Sequence, residues 1–279
     1  MRSKTIATFL SGIILLLATQ VTNASDFPHY WDGRERVSKP DLTAVKRIRF
    51  VTTVDYPPFN FIDNAGRISG FNIDLARAIC AELEATALCQ IEARPWNELQ
   101  SALESGEAEA ILAGLRPTAS LRGKYTFTAP YMRLAARFLI RNDQTLPSPS
   151  DKTLENKTVG VIADSVHQAI FADYFPKSHW VGYPTRELML KDLKAKKIDA
   201  VFGDGSDLSF WIGSPDAANC CTFAGRPYTA PQFLGDGLMI ATTIQNSDLA
   251  EGFNFALKSM EAKGTISELY LRYFPIDFY

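Results

Sequence analysis

One order of elements occurs twice in this chain and constrains it more than anything else. "RIRFVTTV" (47–54) reads as a strand and "GFNIDLARAICAELEA" (70–85) as a helix with Ile73, Ala76, Ile79, Cys80 and Leu83 on one face. "CQIEAR" is a strand, "WNELQSALESG" a helix closed by Gly106, and "AEAILAGL" a buried strand. The order returns after the Pro- and Ser-rich "TLPSPSDKTLEN". "KTVGVIAD" is a strand, "SVHQAIFADYF" a helix, "HWVGYP" a strand, "TRELMLKDLKAKK" a helix and "IDAVFGD" a strand. Strand–helix–strand connections of this length require parallel pairing, hence an α/β sheet in each half. "ESGEAEAILAG" and "KAKKIDAVFGD" are the same device at the same place in each half.

The rest of the chain turns two repeats into two lobes. "ARFLIRND" (136–143) reads as a strand closing the first unit. "GDGLMIATTI" is a further strand, and 247–275 reads as a helix, a break at Gly264 and a second helix. That tail has no lobe of its own and is expected to pack on the first. The expected organisation is lobe 1 over 47–140, lobe 2 over 141–228, and a return to lobe 1 over 229–279. Two crossings make a hinge, and a cleft between lobes is where a small ligand sits.

The N-terminus carries a separate message. Arg2 and Lys4 precede a short apolar run from Ile6 to Ala18, and Thr22-Asn23-Ala24 offers small residues for cleavage. Residues 1–24 read as a signal peptide and 25–46 as an irregular arm. Cleavage removes Arg2 and Lys4 and no acid, leaving 27 cations against 31 acids, a formal charge of -4. A chain of that sign has no basic footprint for nucleic acid. Export permits disulfides. Cys80 ends a helix and Cys89 opens the next strand, a corner a bridge can close. So small a loop contributes about 2–3 kcal/mol in the chain-entropy account. Cys220 and Cys221 are adjacent and stay open between a vicinal disulfide and two buried thiols. No spacing resembles a zinc site. His29, His167 and His179 are scattered and read as structural or exposed.

Eight segments in one order then carry a resemblance: "YPPFNF", "GRISGFNIDLARAI", W-x2-L-x2-AL-x-SG from Trp96, "AILAGLRPTASLR", "YTFTAPYM", "KTVGVIADS", "KIDAVFGD" and "AKGTISELYLRYF". Over residues 47–275 the chain resembles family 3 of the periplasmic solute-binding proteins, the polar amino-acid class. The resemblance implies a type II two-lobe α/β fold with two hinge-crossing strands. It implies a monomer that closes on its ligand, a motion for which such proteins are the standard example. The implied role is the periplasmic binding subunit of an ABC importer, with a small zwitterion and a membrane permease as partners and no cofactor.

A bound amino acid needs a cation for its carboxylate, an anion for its ammonium and a wall for its side chain. The resemblance gives the carboxylate to Arg122, through a guanidinium's paired hydrogen bonds. Arg116 competes for that role. Asp204, at the end of a strand, is implied for the ammonium; it could equally cap the helix that follows, and Asp207 is its rival. Tyr56 and Trp96 are implied as walls of the pocket, whereas Phe59 reads as core. Gly114 and Thr118 are implied as carboxylate contacts, and Ser165 and Val166 offer free N–H groups at a helix start. Arg137 lies at the approach to the hinge. Cyclohexadienyl dehydratases are similar over the whole chain, so an enzyme with an acid such as Glu98 or Asp236 is the alternative, and an accessory or sensor protein is another.

Overall fold

The computed structural model describes residues 38–274 and 276–279, so the expected signal peptide and residues 25–37 of the expected arm lie outside the described residues. The first lobe begins with β1 (Ile48–Thr52). A small antiparallel sheet follows, of β2 (Asp55–Tyr56), β3 (Asn60–Ile62) and β4 (Ile68–Ser69). Then come α1 (Phe71–Glu82), β5 (Cys89–Ala93), α2 (Leu99–Glu104) and β6 (Ala110–Ile111). The short helix α3 (Ala119–Arg122) and β7 (Tyr125–Phe127) complete the run.

The second lobe holds β8 (Ala136–Arg141), β9 (Val159–Ile162), α4 (Val166–Tyr174) and β10 (Trp180–Tyr183). It continues through α5 (Arg186–Lys194), β11 (Ala200–Asp204), α6 (Gly205–Ile212) and β12 (Cys221–Tyr228). After the short α7 (Pro231–Leu234) the chain returns to the first lobe with β13 (Ala241–Thr243), α8 (Ser247–Ala262) and α9 (Thr265–Tyr273).

The sheets run β5-β1-β6-β13-β7 in the first lobe and β10-β9-β11-β8-β12 in the second. In each, the strands of the repeated unit pair in parallel: β1 with β5 and β6, β9 with β10 and β11. The strands added to each sheet, β13 and β8, pair antiparallel. β1 shows why such strands read as apolar runs. Phe50 packs with the core under α1, α8 and α9, while Val51 packs on the opposite face against Leu99 and Leu103 of α2.

β8 departs from the sequence reading. It belongs to the second sheet, between β11 and β12, not to the close of the first unit. All six of its residues are buried, which suits an interior strand covered on both faces. The first crossing therefore falls before Ala136, not at the boundary after residue 140, and the second lobe takes in residues assigned above to the first. An antiparallel bridge between Met132 and Leu238 ties the two crossing segments together.

The four cysteines form two disulfides, Cys80–Cys89 and Cys220–Cys221. The first ties the end of α1 to the start of β5 across 6.3 Å between Cα atoms. The second joins Cys220 to Cys221, the first residue of β12, after Ala218 and Asn219 turn the chain through left-handed backbone. The second lobe's core centres on Phe138 of β8, whose ring meets Phe171, Phe175, Phe202 and Tyr228 within 6.0 Å. Phe138→Ala leaves a large hole in a packed cluster. It is expected to cost about 3–5 kcal/mol, read as a lower urea midpoint; an unchanged midpoint contradicts this packing.

Candidate functional site

The parallel strands of both lobes point their C-terminal ends at one cleft, the place where open α/β sheets bind ligands. A cavity of about 350 Å³ lies there. From the first lobe it is lined by Asp55, Tyr56, Trp96, Gly114 and Arg116. From the second it is lined by Val166, His167 and Asp204. A wider cavity of about 530 Å³ adjoins it and shares Trp96, Gly114, Arg116 and Val166. Its outer wall holds Thr118 and Leu121.

Tyr56 follows β1 through a short turn, and its ring stacks on Phe59 with centroids 4.7 Å apart. Phe59 itself is fully buried in the core. Burial pushes the Tyr56 hydroxyl well above the ordinary phenol range; the charge of Asp204 pushes the same way and Arg116 opposes it. The ring also packs against Gly114. A Cβ at Gly114 would lie 2.8 Å from Tyr56 Cε1, and its φ of +78° already favours glycine. Trp96 opens the turn before α2 and is 50% exposed, an aromatic face left at the cleft.

The two arginines separate. Arg116 lines both cavities, and its Nη1 donates to the carbonyl of Leu234 at 3.5 Å. Arg122 lines neither. It ends α3, pairs with Asp236 at 3.0 Å, and lies 6.0 Å over the Phe127 ring. That pair is 48% and 65% exposed, a surface ion pair of small energetic weight. Thr118 caps α3, its hydroxyl accepting from the Leu121 N–H at 3.2 Å.

On the second lobe two side chains are largely committed to caps. Ser165 caps α4, accepting from the Gln168 N–H at 3.2 Å and donating to the Ile162 carbonyl at 2.7 Å. It lines neither cavity, whereas its neighbour Val166 lines both. Asp204 ends β11 and caps α6. Its Oδ1 accepts from the Ser206 N–H at 2.8 Å, the Ser206 hydroxyl at 2.5 Å and the Asp207 N–H at 3.1 Å. Oδ2 takes no part in the cap and faces His167 Nε2 at 3.9 Å. The two sequence readings of Asp204 are therefore compatible in geometry, one oxygen for each. Asp207 lines neither cavity and is paired with Arg186. Burial raises the Asp207 carboxyl above the usual range, with Arg186 opposing and Asp204 adding to the shift.

Arg137 sits away from the cleft lining. It is buried at the hinge, donates to the main-chain oxygens of Tyr279 at 3.0 Å and Gly225 at 3.2 Å, and lies 4.5 Å over Phe223. Glu98 is exposed and, like Asp236, lines neither cavity. Sequence reasoning missed several lining residues, among them Asp55 and His167. A single histidine in a helix has no spacing partner, and its neighbour Asp204 lies 37 positions away. Among the described residues no group of three or more His, Cys, Asp or Glu side chains is arranged to hold a metal.

The profile of the bacterial extracellular solute-binding proteins, family 3, matches residues 48–276. ABC transporter arginine-binding protein 1 of Escherichia coli is 30% identical over 233 residues, covering 84% of this chain and 93% of that protein. The second substrate-binding domain of Lactococcus lactis GlnP, solved in an open conformation, superposes with a TM-score of 0.74 at 17% identity, covering 86% of this chain and all of that one (100%). An ancestral arginine-binding protein bound to arginine gives 0.53 at 25% identity, covering 82% and 98%.

The two roles of Asp204 can be separated. Asp204→Ala is expected to lose about 1 kcal/mol with the cap, whereas Asp204→Asn keeps a capping oxygen and melts close to the unaltered protein. Equal melting temperatures for Asp204→Ala and the unaltered protein contradict the capping role.

Proposed function

The chain belongs to the bacterial extracellular solute-binding proteins, family 3, and from that premise we propose that it is the binding subunit of an ABC importer for an amino acid. Its fold is the two-lobe type II binding-protein fold of that family. Its relatives include an arginine-binding and a histidine-binding periplasmic protein. In this reading residues 1–24 direct export, the mature chain works in the periplasm as a monomer, and the permease reads its closed form. The relatives named for arginine make L-arginine the first ligand to test.

One observation carries the reading. The cavity is lined by a cation from one lobe, Arg116, by an anion of the other, Asp204, and by the aromatic side chains of Tyr56 and Trp96. A zwitterion satisfies both charges only if it touches both lobes, so binding favours closure. Only a ligand with such differential contacts shifts the lobes. Arg116 is the carboxylate partner in this scheme; Arg122 would first have to give up Asp236. Neither acid put forward for a dehydratase, Glu98 or Asp236, lines the cavity.

Tryptophan fluorescence of refolded protein titrated with L-arginine tests the assignment, since Trp96 stands in the cleft. Arg116→Ala is expected to weaken binding about 30-fold or more, the usual result of truncating one partner of an enclosed charge pair. Arg122→Ala is expected to change it little. The reverse pattern moves the carboxylate to Arg122.

A further inference from the structure

Helix α6 of the second lobe meets the first lobe at three successive places. Asp204, its cap, lines the cleft. Gly205, the next residue, sits at the crossing: its N–H donates to the Ala135 carbonyl at 2.7 Å, and a Cβ there would lie 2.7 Å from that oxygen. Ser209 lies one helical turn farther from the cleft, on the same face as Gly205. It is fully buried, and its hydroxyl donates to the carbonyl of Ile276. A helical serine often turns that proton back to its own helix. Here the proton goes to the segment after α9.

That segment is held by the first lobe. The Phe278 ring is fully buried, 5.4 Å from Tyr270 of α9 and 5.2 Å from Phe274 between centroids. Tyr270 donates its hydroxyl to Asp277 at 2.7 Å and accepts from the Phe278 N–H at 3.1 Å, and the Tyr279 hydroxyl donates to the Arg133 carbonyl. Toward the second lobe the same few residues offer the Ile276 carbonyl to Ser209 and the main-chain oxygen of Tyr279 to Arg137 at 3.0 Å. Phe278 also abuts Gly205. None of these residues lines either cavity of the cleft.

We propose that residues 276–279 form a clasp that opposes closure of the lobes, so that ligand and clasp compete for the orientation of α6. This rests on the reading of the cleft as an amino-acid site. The reason is leverage about the crossing at Gly205. Asp204 lies on the cleft side of that point and Ser209 beyond it. A turn that carries Asp204 toward the first lobe carries Ser209 away from it. Ser209 is then drawn off the Ile276 carbonyl, and the surface shared by Gly205 and Phe278 opens. Both changes cost free energy. A ligand outweighs them only through contacts it makes better in the closed form. The clasp thus lowers apparent affinity by lowering the fraction of chains able to close. In an importer it keeps the chain without ligand out of the closed form.

Calorimetric titration of the unaltered protein, Ser209→Ala and Arg137→Met with the twenty common amino acids, L-arginine first, tests this. Ser209→Ala removes one clasp bond and no cleft contact. It is expected to bind about two- to tenfold tighter than the unaltered protein. Arg137→Met keeps the apolar stem, loses the bond to Tyr279, is expected to shift affinity the same way, and decides the matter if Ser209→Ala does not fold. Loss of packing alone weakens binding, so a gain in affinity is the mark of a released opposing contact. Unchanged or weaker binding by folded Ser209→Ala overturns the clasp while leaving the amino-acid site standing. No binding of any amino acid by the unaltered protein overturns the underlying reading, and the clasp with it.

Discussion

Parallel pairing is the constraint from which the site follows. In both lobes the strands of the repeated unit run the same way, so their C-terminal ends open onto one cleft. The polar and aromatic groups described above at the cavity leave the ends of such strands. Tyr56 follows β1, Trp96 follows β5, and Gly114 and Arg116 follow β6. Val166 and His167 follow β9, and Asp204 closes β11. The helices that begin there bring unsatisfied N–H groups with them. Thr118, Ser165 and Asp204 satisfy some of these, which is why three cleft-side residues spend oxygens on caps.

The hinge depends on a second contact set, behind the cleft. β8 is inserted between β11 and β12, so the chain must leave the first lobe before Ala136 and return after Tyr228. The segment after α9 closes over this crossing. Phe278 is fully buried against Tyr270 and Phe274 of the first lobe, while Ser209 of α6 donates to the Ile276 carbonyl. Gly205 leaves no room to spare: a Cβ there would lie 2.7 Å from the Ala135 carbonyl and 3.2 Å from Phe278 Cβ. Arg137 crosses the same junction to Tyr279. The two lobes are thus packed together on one side and separated by charged groups on the other, an arrangement suited to hinge closure.

The fold was legible in the sequence because each lobe repeats a local rule. Apolar periodicity and helix-ending glycines mark the elements, and the parallel order follows from connection length. β8 was assigned to the wrong sheet because a continuous apolar run such as "ARFLI" suits any interior strand. Its neighbours in space, β11 and β12, lie more than fifty residues on and leave no local trace. The same limit applies to the site. Tyr56, Gly114 and Asp204 stand at strand ends that the repeat makes visible. The choice between Arg116 and Arg122 depends on which way a loop and a four-residue helix turn them. His167 was missed because its meaning comes from Asp204 across a strand boundary, not from any spacing in its own helix.

Closure of the two lobes on a ligand is the central claim. Small-angle X-ray scattering of the mature protein, with and without saturating L-arginine, tests it most directly. The account predicts a smaller radius of gyration and a shorter maximum dimension with ligand. Identical scattering curves at a concentration where calorimetry shows full occupancy would contradict it.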